Sequence, residues 1–114
     1  MLVNIQPIPL FLLIHAIDYH EYREDSRFDN QYGEPVTFKH VRIEPYSHYN
    51  SNGTGDVKTY RAVLFIDAVN SKPNDGNLKE KSKVIYNGDE MIVGEVQTLF
   101  AIGERAHHWE VLLE

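Results

Sequence analysis

The chain has no cysteine among its 114 residues, which removes disulfides, thiolate zinc sites, iron–sulfur clusters and cysteine nucleophiles together and leaves the redox compartment open. Basic residues are in the minority: 11 Lys and Arg face 17 Asp and Glu, for a formal charge of −6. A broad phosphate-binding surface needs clustered Lys and Arg, and here they are scattered among acids. No stretch approaches the roughly 20 apolar residues of a membrane-spanning helix. The most apolar one, Ile8 to Ile17, contains Pro9 and His15. No Lys or Arg precedes it and no small-residue cleavage site follows it, so a secretory signal is not expected and the chain reads as soluble and made in the cytoplasm. Repeats and low-complexity tracts are absent, and the length suits one small domain.

What is present is the punctuation of an all-β protein: short runs of Val, Ile, Phe and Tyr separated by Gly, Asn, Asp and Pro. The alternation predicts a first strand over Leu10 to Tyr22, with Leu13, Ile17 and Tyr19 on one face and Leu12, Ile14 and Ala16 on the other. Charged and turn-forming residues from Glu24 to Pro35 predict a loop, and Val36 to Glu44 a second strand. The twelve residues from Pro45 to Asp56 oppose regular structure by composition and exceed most hairpin connections in length, so they predict a long loop. A third strand over Val57 to Val69 would span roughly 43 Å at about 3.3 Å per residue. A compact chain of this length is only about 35 Å across, so the polar end of that strand is expected to project with the loop at its tip. Asn87-Gly88 between Lys83–Tyr86 and Asp89–Val93 is the signature of a type I′ hairpin, and its second strand is expected to continue to Leu99 with a break or bulge at Gly94. His107 to Leu113 alternates as a last strand, in preference to a short helix from Glu104. Five or six strands that need cover on both faces predict a single-domain β-barrel or sandwich.

Little in the chain points to catalysis. The six histidines, His15, His20, His40, His48, His107 and His108, have poor spacing for metal: on strands His15 and His20 point to opposite faces, and His107 and His108 diverge. Half-buried or solvated histidines are the stronger reading; a site assembled across strands from Asp18, His20 and one of the C-terminal pair is the weaker one. The acids Asp18, Glu21, Glu24, Asp25 and Asp29 are interleaved with Arg23 and Arg27 and read as a solvated face. Gly53-Thr54-Gly55 lacks the Lys of a phosphate loop, and Asn52-Gly53-Thr54 matches a glycosylation acceptor only by spacing. With no nucleophile beside a placed base, the residues favour a binding or structural protein without cofactor, metal or catalytic residues.

The first ten residues form an extended, uncharged apolar arm broken by Pro7 and Pro9. Burying Leu2, Val3, Ile5 and Ile8 would yield about 6 to 12 kcal/mol, nearly cancelled by about 1 to 2 kcal/mol per residue to order the backbone. The arm, with Leu10 at its end, is therefore expected to order against a partner, the alternative being that it completes the core of its own domain over residues 11–114.

Five pieces then occur in order: Ile8-Pro9 with Leu12-Leu13-Ile14-His15, Val41-Arg42-Ile43-Glu44-Pro45, Ala62-Val63-Leu64-Phe65 with Asp67 and Val69-Asn70-Ser71, Asn87-Gly88-Asp89-Glu90, and His107-His108-Trp109-Glu110-Val111. In that order and spacing the chain resembles the small minor capsid proteins of tailed bacteriophages of Gram-positive bacteria. The resemblance implies a non-enzymatic virion component, foremost the head-completion or stopper protein, a β-barrel forming a ring at the neck. Its implied partners are copies of itself, the portal and adaptor above, the tail-completion proteins below, and packaged DNA passing without sequence specificity; no membrane is involved. On that basis Tyr46, Ser47, His48, Tyr49, Asn50, Ser51, Asn52, Gly53, Thr54, Gly55 and Asp56 are assigned to the channel side. An acidic lumen would repel DNA phosphates and let the genome slide. A capsid-decorating protein is the alternative, and a soluble binding domain the third reading.

Overall fold

The computed structural model describes residues 6–24, 31–51 and 57–114. Six strands form a closed barrel: β1 (His15–His20), β2 (Val36–Ser51), β3 (Val57–Asp67), β4 (Lys83–Tyr86), β5 (Asp89–Phe100) and β6 (Ala106–Leu113). Their order around the wall is β1-β2-β3-β6-β5-β4, with β4 pairing back onto β1 and every neighbouring pair antiparallel. Closure leaves no long unpaired edge around the wall and explains why both β1 and β3 carry apolar residues.

Alternation supplies the interior. Ile17 and Tyr19 of β1, Ala62, Leu64 and Ile66 of β3, Val84 of β4, Met91 and Val93 of β5, and Val111 and Leu113 of β6 form one buried cluster. Phe38 and Val41 of β2 both join it although they are three apart. The register explains this: His15 lies opposite Val41 and Ala16 opposite Lys39, leaving His40 as an extra residue at φ 57°. Such a bulge reverses which face the following residues take. Ser71 holds it by donating to the His40 carbonyl at 2.6 Å while accepting the Asp67 N–H at 2.8 Å. A second cluster, Tyr60, Val63 and Leu112 with Tyr46 and Phe65 against it, joins β3 to β6 and β2.

The hairpin at Asn87-Gly88 forms with both residues at positive φ, 51° and 79°, as a type I′ turn requires. β5 slips register between Val93 and Glu95, which makes Gly94 the bulge residue, and the last segment is strand. Boundaries differ from the pattern-based expectation, chiefly at three places. The first strand begins at His15, because Pro9 leads into a 3-10 turn over Leu10–Leu12. The third strand ends at Asp67, whose carboxylate turns the chain by accepting the Val69 and Asn70 N–H groups. The expected loop from Pro45 to Asp56 is strand through Ser51; only residues 52–56 separate β2 from β3, and they lie outside the described residues.

Polar composition misled there because a two-stranded ribbon outside the barrel has no core face to fill with apolar side chains. Beyond Ala62 towards its N-terminus, β3 has only β2 as a strand neighbour, with His48 to Ser51 opposite Tyr60 to Val57. Pro45 sits where the register shifts, next to the bulge that opens this ribbon, a position where a missing N–H is tolerated. The chain's radius of gyration is 15.2 Å, against about 13 Å for a compact domain of this length.

Candidate functional site

Two surfaces stand out, and both are built on β3. The first is the root of the β2–β3 ribbon. Tyr60 is 2% exposed, and its ring packs against Gly94, where an added Cβ would come within 2.6 Å of the Tyr60 Cε1. Burial, with the charges of Glu95 and Glu114 behind it, pushes the Tyr60 phenol above its usual value. Next to it, Arg61 pairs with Asp89 at 3.1 Å and donates to the Glu90 carbonyl at 2.5 Å. These contacts tie the ribbon root to the β4–β5 hairpin across the barrel end. Of the residues assigned to the channel side, Tyr46 packs on the cluster at this root, Ser47 is exposed, and His48, Tyr49, Asn50 and Ser51 are ribbon backbone on β2. Asn52, Gly53, Thr54, Gly55 and Asp56 lie outside the described residues.

The second surface is the N-terminal segment against the barrel wall. Ile8 donates its N–H to Asp67 Oδ1 at 2.9 Å, and its carbonyl accepts from the Asn70 side chain at 2.8 Å. The Gln6 carbonyl accepts from His107 Nε2 at 2.7 Å, and the Leu12 carbonyl from Arg42 at 3.1 Å. Ile8, which composition assigns to a partner-ordered arm, is thus held by its own barrel. Leu2, Val3 and Ile5 of that arm lie outside the described residues.

Docking the segment leaves an apolar ridge in solvent. Leu13 is buried at 2%, whereas Leu10, Phe11 and Ile14 are 54%, 77% and 64% exposed. Contiguous exposed apolar side chains of this kind mark contact surfaces. Phe11 and Ile14 are missed by strand periodicity, which places them in β1; two prolines immediately upstream are the signal that regular structure starts later. Two further exposed apolar residues, Val69 and Ile102, rim a cleft of about 250 Å³ with Pro7 and Ala106.

The histidines serve local structure. His15 Nδ1 accepts the Ile43 N–H at 3.0 Å, and burial, with Arg42 second, lowers its pKa below the usual 6.5. His20 donates from Nδ1 to the Gly33 carbonyl at 3.0 Å. Asp18 accepts from Thr37 at 2.7 Å. Among the described residues no three His, Asp or Glu side chains could hold a metal ion. One expectation is corrected: His107 and His108 do not diverge, since their Nδ1 atoms approach to 2.8 Å. The cause is a bulge, with His108 opposite Leu99 and Ala106 opposite Phe100, so that His107 is the extra residue and the alternation of faces fails there.

No helix among the described residues is long and apolar enough to cross a membrane. No curated protein and no solved structure matches the chain. A sequence model described as the minor capsid protein family matches residues 9–113.

Proposed function

The chain belongs to the minor capsid protein family, and we propose that within the virion it is the head-completion or stopper protein, forming a ring at the head–tail junction between portal or adaptor and tail. What supports this reading above all is the β2–β3 ribbon, in which residues 57–59 of β3, beyond the buried Tyr60, pair with β2 alone among the described strands. A barrel carrying such a ribbon can pack against its copies through the wall while the ribbon reaches towards a central channel. In a head-to-tail ring each copy offers two different surfaces to its neighbours. The exposed Leu10, Phe11 and Ile14 ridge, with Leu2, Val3 and Ile5 upstream, is the docking element for a neighbouring copy or the adaptor. The acids of the chain keep the lumen from holding DNA phosphates.

Replacing residues 47–59 by a two-residue Asn-Gly turn tests the assignment. The shortened chain is expected to fold and to enter particles whose heads lose packaged DNA. Fully infectious particles that retain their genome would overturn the channel role. Decoration of the head shell, the second reading, is favoured by the same apolar ridge, and would leave DNA retention unaffected by the shortened ribbon.

A further inference from the structure

His107 and His108 join three contacts in one line. His107 Nε2 meets the Gln6 carbonyl at 2.7 Å, the two Nδ1 atoms meet at 2.8 Å, and His108 Nε2 meets Glu110 Oε2 at 2.9 Å. A carbonyl and a carboxylate only accept, so both Nε2 atoms must carry hydrogen. The Nδ1 pair needs one hydrogen more, on one side only. Two neutral imidazoles carry two protons between them and leave this line one short. Two imidazolium rings carry four and set N–H against N–H. Only three protons on the two rings satisfy all three contacts.

We propose that His107 and His108 share one proton as a monocation and act as a clasp that holds the N-terminal segment on the barrel at Gln6, loosening when the pair gains or loses a proton. The rings are held for this: their planes are 83° apart with centroids at 5.0 Å, and the His108 ring lies over Phe65 at 6.3 Å. Charged groups near the pair come from β6, β3, β2 and the segment before β6, while β5 sets Leu99 opposite His108. Glu110 on β6 balances the monocation directly. Asp67 on β3 lies opposite His108 in register, and Arg42 and Glu44 on β2 share a cleft with His108. Arg105, just before β6, lines the cleft that His107 borders. Coupled sites of this sort release protons in two separate steps that belong to the pair. The clasp operates independently of where in the virion the protein sits.

Two measurements on the full chain test it. Nitrogen-15 NMR of the imidazoles across pH 4.5 to 9 should show two steps separated by a plateau with three protons on the pair. Hydrogen exchange should show the Ile8 amide most protected on that plateau, with protection falling by about three- to tenfold on either side, the effect of losing one such contact. In His108→Gln the side-chain amide can either donate to or accept from His107 Nδ1, so no protonation state of His107 opposes the Gln6 contact and Ile8 protection should become flat with pH. Independent single-step titration of both rings, or a wild-type Ile8 protection that is flat across this range, would overturn the clasp even if the variant failed to fold.

Discussion

The backbone N–H of Ile8 donates to Asp67 Oδ1 at 2.9 Å across 59 positions of sequence, and this bond acts with those at Gln6, the Ile8 carbonyl and Leu12 to hold the N-terminal segment on the barrel. The Asp67 carboxylate is fully buried, and its second oxygen accepts the Val69 and Asn70 N–H groups at 2.9 and 2.8 Å. Its charge is met by three backbone donors, so it sets both the end of β3 and the path of the segment above it. Asp67→Ala strips acceptors from all three. The expected loss is about 3 kcal/mol, at about 1 to 3 kcal/mol for each donor left buried, less what solvent recovers at the turn. Urea denaturation measures it, and a loss under about 1 kcal/mol would contradict this role.

Truncation separates docking from folding. Removing residues 1–5 is expected to leave the melting temperature nearly unchanged, because the bonds from Gln6, Ile8 and Leu12 to the barrel remain. Removing residues 1–8 deletes the Ile8 contacts and should lower the melting temperature by about 5 °C or more, as about 1 kcal/mol corresponds to several degrees in a domain of this size. Equal melting temperatures for the two truncations would refute the Ile8 anchor.

Gly94 is the position where β5 gives way to Tyr60. A methyl group there would stand 2.6 Å from the Tyr60 ring, inside the buried cluster at the ribbon root. Gly94→Ala should cost about 1 to 3 kcal/mol through overpacking. Nuclear magnetic resonance should find the largest shift changes at Tyr60, Val63 and Leu112. Changes spread evenly over the barrel would argue against a local clash.

The pattern of residues was enough to read the all-β class, the Asn87-Gly88 turn, the Gly94 bulge and the final strand, because each depends on alternation or turn chemistry within a few residues. The bulges at His40 and His107 were not legible. One is held by Ser71, 31 positions away, and the other by a register slip against β5. Both reverse the faces that simple alternation assigns, which is why His107 and His108 were expected to point apart. The stretch Pro45 to Ser51 hid its strand because β3 supplies the pairing that its own polar residues do not signal. Of the two surfaces, the ribbon was foreshadowed by the length of the third strand, and the ridge only by the apolar character of the N-terminus.

His15 should make stability fall on mild acidification. Its Nδ1 accepts the Ile43 N–H, which only the unprotonated nitrogen can do. Burial, with Arg42 second, lowers its pKa from the usual 6.5, so the folded state takes up fewer protons there than the unfolded chain. Its contribution is therefore complete above about pH 6.5 and declines as pH falls below that value. Urea melts at pH 7 and 5 should show a smaller difference for His15→Gln than for wild type. An unchanged difference would assign the pH dependence elsewhere.

Cryo-electron microscopy of virions carrying this protein, with focused classification on the neck, tests the central assignment most directly. The stopper reading predicts a ring of six-stranded barrels below the portal, with the β2–β3 ribbons directed into the channel and the Leu10–Ile14 ridge against a neighbour. Barrel density on the head shell, or a neck without it, would contradict that reading.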